Sequence, residues 1–288
     1  MLLKEVGYCR PATVEVATQV LEADENARPL AGGQSLINVM KLHVAAPSVL
    51  VDLNGIPDLR SIALDDDGAV RIGAMTIYDD LDRSETLRRT HPIISQVAAH
   101  LADRQVRNRG TIGGNVCYSD PTSNFPPLML TLQATMIVVG PDHEREIPAA
   151  DFFRGAYEPN LRRGEILTAI RVPAAKPGTG FGYQSLRVTR EGWALVHAAA
   201  AIEMSDGVVA GARITLGCVS GTPVRARAME SALVGQVPRE EVVREAARQA
   251  GEGINPPSDA HASAAYRRQM AGVMARRAVM EAIAEARS

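Results

Sequence analysis

The chain has 288 residues, enough for a large core and for two domains. A net charge of −2, an aromatic content of 4 % and the lack of any Lys/Arg run exclude a polyanion-binding face and a base-stacking surface, so nucleic acid is not an expected partner. No apolar run approaches the ~20 residues of a transmembrane helix, the opening MLLKEVGYCRP has no signal-peptide core, and three scattered cysteines fit a reducing compartment; a cytoplasmic protein is expected.

Residues 11–23, PATVEVATQVLEA, place Val14, Ala17, Val20 and Leu21 at helical spacing, with Pro11 at the start. ARPLAGG reads as a short strand entering a turn. SVLVDL (residues 48–53) is a β-rich run that ends at Asn54-Gly55, and residues 69–77, AVRIGAMTI, form another strand after the turn-like DDDG. HPIISQVAAHLADRQV predicts one helix with Ile93, Val97, Ala98 and Leu101 on one face. It runs into RNRGTIGGNVCYSDPTSNFPP, and LMLTLQATMIVVG supplies a further helix and strand. This alternation argues for α/β architecture up to about Val172.

Residues 172–182, VPAAKPGTGFG, are rich in Pro, Gly and Ala and mark the expected boundary, giving domains 1–176 and 177–288. Beyond it, YQSLRVT, ALVHAAAAIEM and VVAGARITLGCV read as strands, the last two joined by a hairpin turn at Ser205-Asp206-Gly207. From Arg225 onward the chain reads as helical, most strongly in SAAYRRQMAGVMARRAVMEAIAEA. Strands followed by helices predict a small α+β second domain.

Two glycine pairs are the most informative features. A backbone without Cβ can approach a ligand closely and adopt positive φ, and successive free N–H groups can converge on an anion, above all where a helix begins. Gly32-Gly33-Gln34-Ser35, before a helix-like run, fits that description. Gly113-Gly114-Asn115 offers a second cluster of amides, with Thr111 able to donate a hydroxyl. A simple turn is the competing reading of each pair. Neither is a G-x-x-x-x-G-K-[ST] loop nor a G-x-G-x-x-G fingerprint, so the usual dinucleotide fold is not supported.

The segments ARPLAGGQSL and RNRGTIGGN, in this order, resemble the FAD-binding (medium) subunit of the molybdenum hydroxylases, in particular its carbon monoxide dehydrogenase branch. VDLNGI, IGAMT, DFFRGAYEPNLRRGEILTAIRVP and YRRQMAGVMARRAV extend the resemblance over nearly the whole chain. It implies an α+β fold: a vanillyl-alcohol-oxidase/PCMH-type FAD-binding domain of two α/β subdomains. A small C-terminal domain of the carbon monoxide dehydrogenase flavoprotein type follows, with a three-stranded antiparallel sheet and helices. It implies FAD as cofactor, and as partners a large molybdopterin-binding subunit and a small iron–sulphur subunit. Electrons would pass from the partner's clusters through FAD to an external acceptor, with no acid–base residue required of this chain.

By the same resemblance, Gly32, Gly33, Gln34, Ser35 and Leu36 would wrap the pyrophosphate, with Thr111, Ile112, Gly113, Gly114 and Asn115 closing the cradle from the other side. Leu101 and Leu167 match positions that pack on the flavin or adenine. Asn124 stands where the family usually has Asp, Ser185 where it often has Lys, Gly192 in place of a second Asp, and Tyr78 near a frequent His. Asn keeps a carbonyl acceptor but loses charge, and Ser185 cannot stabilise an anionic ring. These departures leave open a stand-alone flavoprotein or a scaffold without flavin. Trp193, the only tryptophan, is a candidate for stacking near the flavin or for interdomain packing. Cys117 reads as a structural thiol or a redox group, and Asp65-Asp66-Asp67-Gly68 as a turn. Arg104, Arg107 and Arg109 face phosphates, a partner or solvent. The six histidines show no H-x-x-x-H spacing and the cysteines no C-x-x-C, so no metal site is expected.

Overall fold

The computed structural model describes residues 3–287. Its first layer is a parallel three-stranded sheet, with Val49–Asp52 between Gly7–Cys9 and Arg28–Leu30. Helix Val14–Ala23 covers it, burying Ala17 and Leu21 against Val51, Leu53 and Ile56. This helix starts three residues later than Pro11 implies. Thr13 takes extended backbone and its hydroxyl accepts from Val16 N, so Thr13 and not Pro11 is the cap.

The second layer is a five-stranded sheet in the order Ile62–Leu64, Val70–Gly73, Ile166–Val172, Thr135–Val139, Glu144–Pro148. Every pairing in it is antiparallel, so parallel α/β pairing is confined to the first sheet. The strand expected over residues 69–77 stops at Gly73. There the backbone passes so close to Leu59 that a Cβ would lie 2.4 Å from its carbonyl oxygen. The single helix expected over residues 91–106 is two. Pro92–Ala99 ends before Ala102, which has φ +47°, and Asp103 caps a new turn, Arg104–Arg107, by accepting from Val106 N.

Within this layer Glu165 is a buried carboxylate with four donors. Arg145 Nε and Nη2 lie at 2.7 and 2.8 Å, Arg162 N at 2.6 Å and His143 Nε2 at 2.8 Å. Burial alone raises a carboxyl pKa, but these bonds outweigh it and bring Glu165 from 4.5 down to about 2.

The third layer is antiparallel: Thr179–Arg187, Ala194–Ser205, Val208–Gly217 and a two-residue edge strand, Val224–Arg225. The expected three long strands are present, and the short fourth corrects the count. Asp206 (φ +50°) and Gly207 (φ +77°) form the tight hairpin turn that the sequence signals. The alanine run of Ala194–Ser205 is buried on both faces, with period two. Ala198, Ala200 and Ile202 face the C-terminal core, while Ala199 and Ala201 join the core of the five-stranded layer. Helix Ala264–Ala286 lies on this sheet through Ala275, Ala278 and Ala282, so close that a Cβ on Gly182 would fall 2.0 Å from Ala278 O.

Glu165→Gln removes the charge that Arg145 pairs with and is expected to cost about 2–4 kcal/mol in urea unfolding. A depressed carboxyl pKa contributes stability above its unfolded value and loses it as pH falls. The variant should therefore flatten the loss between pH 4.5 and about 2.

Candidate functional site

The Arg28–Leu30 strand delivers the chain to a bend over residues 31–35. Gly33 has φ +74°, and the Gln34 side-chain amide folds back to donate to Gly32 O at 3.2 Å. Asn54 Nδ2 donates to Ala31 O at 3.0 Å, and Asp52 Oδ1 holds Asn54 through its side chain (2.6 Å) and backbone (3.0 Å). Tyr8 in turn donates to Asp52 Oδ2 at 2.6 Å. Asp52 and Asn54 belong to the VDLNGI segment, which the sequence marks as a strand, a turn and part of the family resemblance but without a role in the site. Among the described residues the amides of Gly32, Gly33, Gln34, Ser35 and Leu36 have no acceptor, and the Ser35 hydroxyl caps nothing. Five successive free donors at the start of helix Leu36–Lys41 are suited to an anion.

The second glycine stretch docks against the first. A Cβ on Gly32 would lie 2.1 Å from Arg109 O and 2.9 Å from Gly110 Cα, while one on Gly114 would lie 3.6 Å from Ala31 Cβ. Gly32 to Leu36 and Thr111 to Asn115 are thus neighbours in space. The expectation that the second stretch supplies free amides needs correction. Ile112 N donates to Thr76 O (3.0 Å), Gly113 N to Ala74 O (2.9 Å), Gly114 N to Thr111 Oγ1 (3.0 Å) and Asn115 N to Thr111 O (3.0 Å). These bonds start helix Ile112–Tyr118 and bind it to the sheet below. What the stretch offers is a close-packed wall and the Asn115 side chain, whose Oδ1 is buried without a partner. Burial pushes the Tyr78 phenol up to about 12, against a smaller lowering by the nearby Asn115 side chain. Tyr78 lies under Gly110, packs against the Phe125 ring and fixes the floor of the bend.

Asn124 belongs to a second polar group. Asn124 Nδ2 donates to Tyr183 Oη at 2.7 Å, and that hydroxyl lies 2.5 Å from His197 Nδ1. This chain of bonds ties the second layer to the third and leaves Asn124 Oδ1 turned away from Tyr183. Burial, with Arg187 nearby, lowers the His197 pKa from 6.5 to about 3, so the ring is neutral; its Nε2 is unpartnered against Gly217. The sequence flags neither Tyr183 nor His197 for this role, because they sit in an apolar β-rich pattern. Ser185 Oγ receives Arg187 Nε at 3.1 Å and lines a cleft of about 700 Å³.

The other candidates fall apart from these two groups. Leu101 and Leu167 are both buried in the core of the five-stranded layer. Trp193 is 70 % exposed and does not line the cleft. Burial pushes the Cys117 thiol up to about 12, which suits a structural role. Asp65 and Asp67 pair with Arg171 in the turn before Val70–Gly73, and no metal-holding cluster occurs among the described residues. Arg104 and Arg107 line the cleft; Arg109 is exposed.

Comparison with known proteins agrees with this architecture. Residues 4–175 match the FAD binding domain in molybdopterin dehydrogenase, and residues 182–282 match the CO dehydrogenase flavoprotein C-terminal domain. The chain belongs to this family of FAD-binding subunits of molybdenum hydroxylases. It is 40 % identical to the carbon monoxide dehydrogenase medium chain of Afipia carboxidovorans, over all of both chains. Among solved structures it superposes on the carbon monoxide dehydrogenase of Hydrogenophaga pseudoflava with a TM-score of 0.96, at 38 % identity and 99 % coverage of each chain. Quinoline 2-oxidoreductase of Pseudomonas putida 86 gives 0.95 at 34 % identity, with both chains fully covered. No helix among the described residues is long and apolar enough to cross a membrane.

Gly32→Ala forces the two bends apart. It is expected to weaken FAD retention at least about tenfold, read by flavin fluorescence titration, while circular dichroism stays unchanged. Tyr183→Phe strands the Asn124 amide and His197 Nδ1 and should cost about 1–3 kcal/mol of unfolding free energy. A buried neutral histidine favours folding above its unfolded pKa and opposes it as pH falls. His197→Gln should therefore flatten the decline in stability between pH 6.5 and about 3.

Proposed function

We propose that this chain is the electron-transfer subunit of a heteromeric molybdenum hydroxylase and holds FAD with its diphosphate on the bend at residues 32–36. The observation that carries the reading is the row of five unpaired amides, pressed against the second glycine stretch in a member of this family. The fit of the group rests on the same features: free donors, an idle Ser35 hydroxyl, the orphaned Asn115 Oδ1, and glycines that let the two bends close on each other. FAD, when bound, supplies the redox chemistry that no side chain here can provide.

The chain's own part is to bind and orient. Gly32, Gly33, Gln34, Ser35 and Leu36 donate backbone N–H groups, and Ser35 adds its hydroxyl. Thr111, Ile112, Gly113 and Gly114 form the opposing wall, while Asn115 places an acceptor at its edge. Asn124, held by Tyr183, presents Oδ1 to a sugar or ribityl hydroxyl. Leu101 and Leu167 back the ring systems, and Ser185 and Trp193 lie on the side of the third layer. The reading divides the chain into a FAD-binding domain, 1–176, and a C-terminal domain, 177–288. The partners are a large molybdopterin-binding subunit and a small iron–sulphur subunit. The three cysteines are free thiols, in keeping with a cytoplasmic complex.

The visible spectrum of the purified complex should show the two flavin bands, and the large and small subunits should co-purify. Gly33→Asp forces a side chain into φ +74°, with its Cβ 3.2 Å from Ile37 Cγ1, and brings a negative charge beside the amide row. Flavin occupancy of that variant should fall at least about tenfold. Full occupancy would overturn the assignment of the bend.

A further inference from the structure

The five free amides at residues 32–36 belong to five peptide groups, and each of those groups is held by its other end. In a trans peptide the N–H and the C=O point in opposite directions, so a bond to the carbonyl fixes where the amide aims. Every peptide among the described residues is trans. Ala31 O accepts from Asn54 Nδ2 at 3.0 Å, Gly32 O from Gln34 Nε2 at 3.2 Å and Gly33 O from Ile37 N at 3.2 Å. Gln34 O accepts from Asn38 Nδ2 at 2.7 Å and Ser35 O from Val39 N at 3.1 Å. Two of these five bonds are ordinary backbone turns into the helix, and the other three come from side-chain carboxamides.

The need for such bonds follows from the glycines. Gly32 lets the two bends touch, since a Cβ there would lie 2.1 Å from Arg109 O, and Gly33 takes φ +74°. Residues without a Cβ also adopt positive and negative φ about equally, so the peptide planes on either side of Gly32 are the softest in the segment. A plane turned over would set a carbonyl oxygen, in place of an N–H, against an anion. Gln34 and Asn38 act over two and four residues, within the bend and the helix that follows it. Of the three carboxamides only Asn54 reaches the bend from a distant part of the chain, 23 residues from Ala31, and it fixes the first plane of the row.

Asn54 is itself held so that its donor end faces Ala31. Arg60 Nη2, which can only donate, lies 2.6 Å from Asn54 Oδ1, and Asp52 Oδ1 accepts from Asn54 Nδ2 at 2.6 Å. Burial raises the Asp52 carboxyl pKa, but bonds from Tyr8 and Asn54 outweigh it and bring the group below the usual carboxylate range, so Asp52 stays an acceptor. Turned over, the carboxamide would set its oxygen against a carboxylate and a carbonyl, and its nitrogen against a guanidinium. We infer that Asn54 is a positioning residue for the diphosphate: by holding Ala31 O it aims the Gly32 N–H, and with it the start of the amide row, at the anion. The inference rests on the reading that the diphosphate of FAD sits on residues 32–36.

The test uses the complex stripped of FAD and reloaded, with affinity read by flavin fluorescence. Asn54→Leu keeps the size of the side chain, adds no charge and removes the donor. It should weaken FAD binding about five- to tenfold, because only the fraction of molecules with the first plane correctly turned can bind. Asn54→Ser is the milder change, too short to reach Ala31 O but still polar beside Asp52, and should weaken binding about threefold. Asn54→Asp sets an oxygen against Ala31 O and should weaken it at least as much as Asn54→Leu. The phosphorus NMR resonances of bound FAD report on the amides around the diphosphate and should move in all three variants. A brace that only steadies the fold would lower the thermal midpoint and leave affinity and resonances alone. Unchanged affinity and resonances in Asn54→Ser and Asn54→Leu would therefore overturn the proposal, whatever happens to the midpoint. So would weakening confined to Asn54→Asp, which would be an effect of charge. Either result, with FAD lost from Gly33→Asp, removes Asn54 from the account and leaves the site in place. FAD retained by Gly33→Asp would overturn the reading of the bend and this proposal with it.

Discussion

The contact between Gly32 and the Arg109–Gly110 backbone is the constraint on which the site depends. Two segments far apart in the chain approach to a distance that excludes even a methyl group. Close backbone packing of this kind needs each partner fixed from behind. Asn54, Asp52 and Tyr8 brace the first bend, while Tyr78, Ala74 and Thr76 brace the second. The division of labour follows from hydrogen bonding. The second bend uses its amides to hold itself to the sheet, and the first leaves its amides open. One bend is the wall and the other is the hand.

The three layers are joined by groups that the contact between the bends does not involve. Asn124, Tyr183 and His197 form a short polar bridge between the second and third layers, and each of its links lies at 2.7 Å or less. A buried polar bridge of this sort fixes geometry more than it adds stability, because its groups had water to bond before folding. Its closeness to Ser185 and Arg187 means that the third layer takes part in shaping the site as well as capping the core.

Much of this was legible in the sequence. The glycine pairs stood out because glycine before a helix-like run has few explanations, and the Asp206-Gly207 hairpin because only a tight turn suits it. The strand run after residue 182 and the long terminal helix were plain from composition and spacing. The antiparallel pairing of the second layer was not legible, since pairing direction leaves no mark on a buried strand such as Ile166–Val172. Nor was the break at Ala102, where an alanine takes positive φ because Asp103 starts a new turn. The fate of the amides at Ile112 to Asn115 depended on carbonyls of Ala74 and Thr76, far away in the chain. Tyr183 and His197 were hidden for the same reason: their meaning lies in a partner across a domain boundary.

The alanine strand carries a consequence for how the molecule transmits force. Ala199 and Ala201 press on one core while Ala198 and Ala200 press on the other, so a single ribbon of backbone is the shared wall of both. With no long side chains to rearrange, that wall has no cushion. Where Ala275, Ala278 and Ala282 of the terminal helix press on this wall, only methyl groups and backbone stand between that helix and the core of the five-stranded layer.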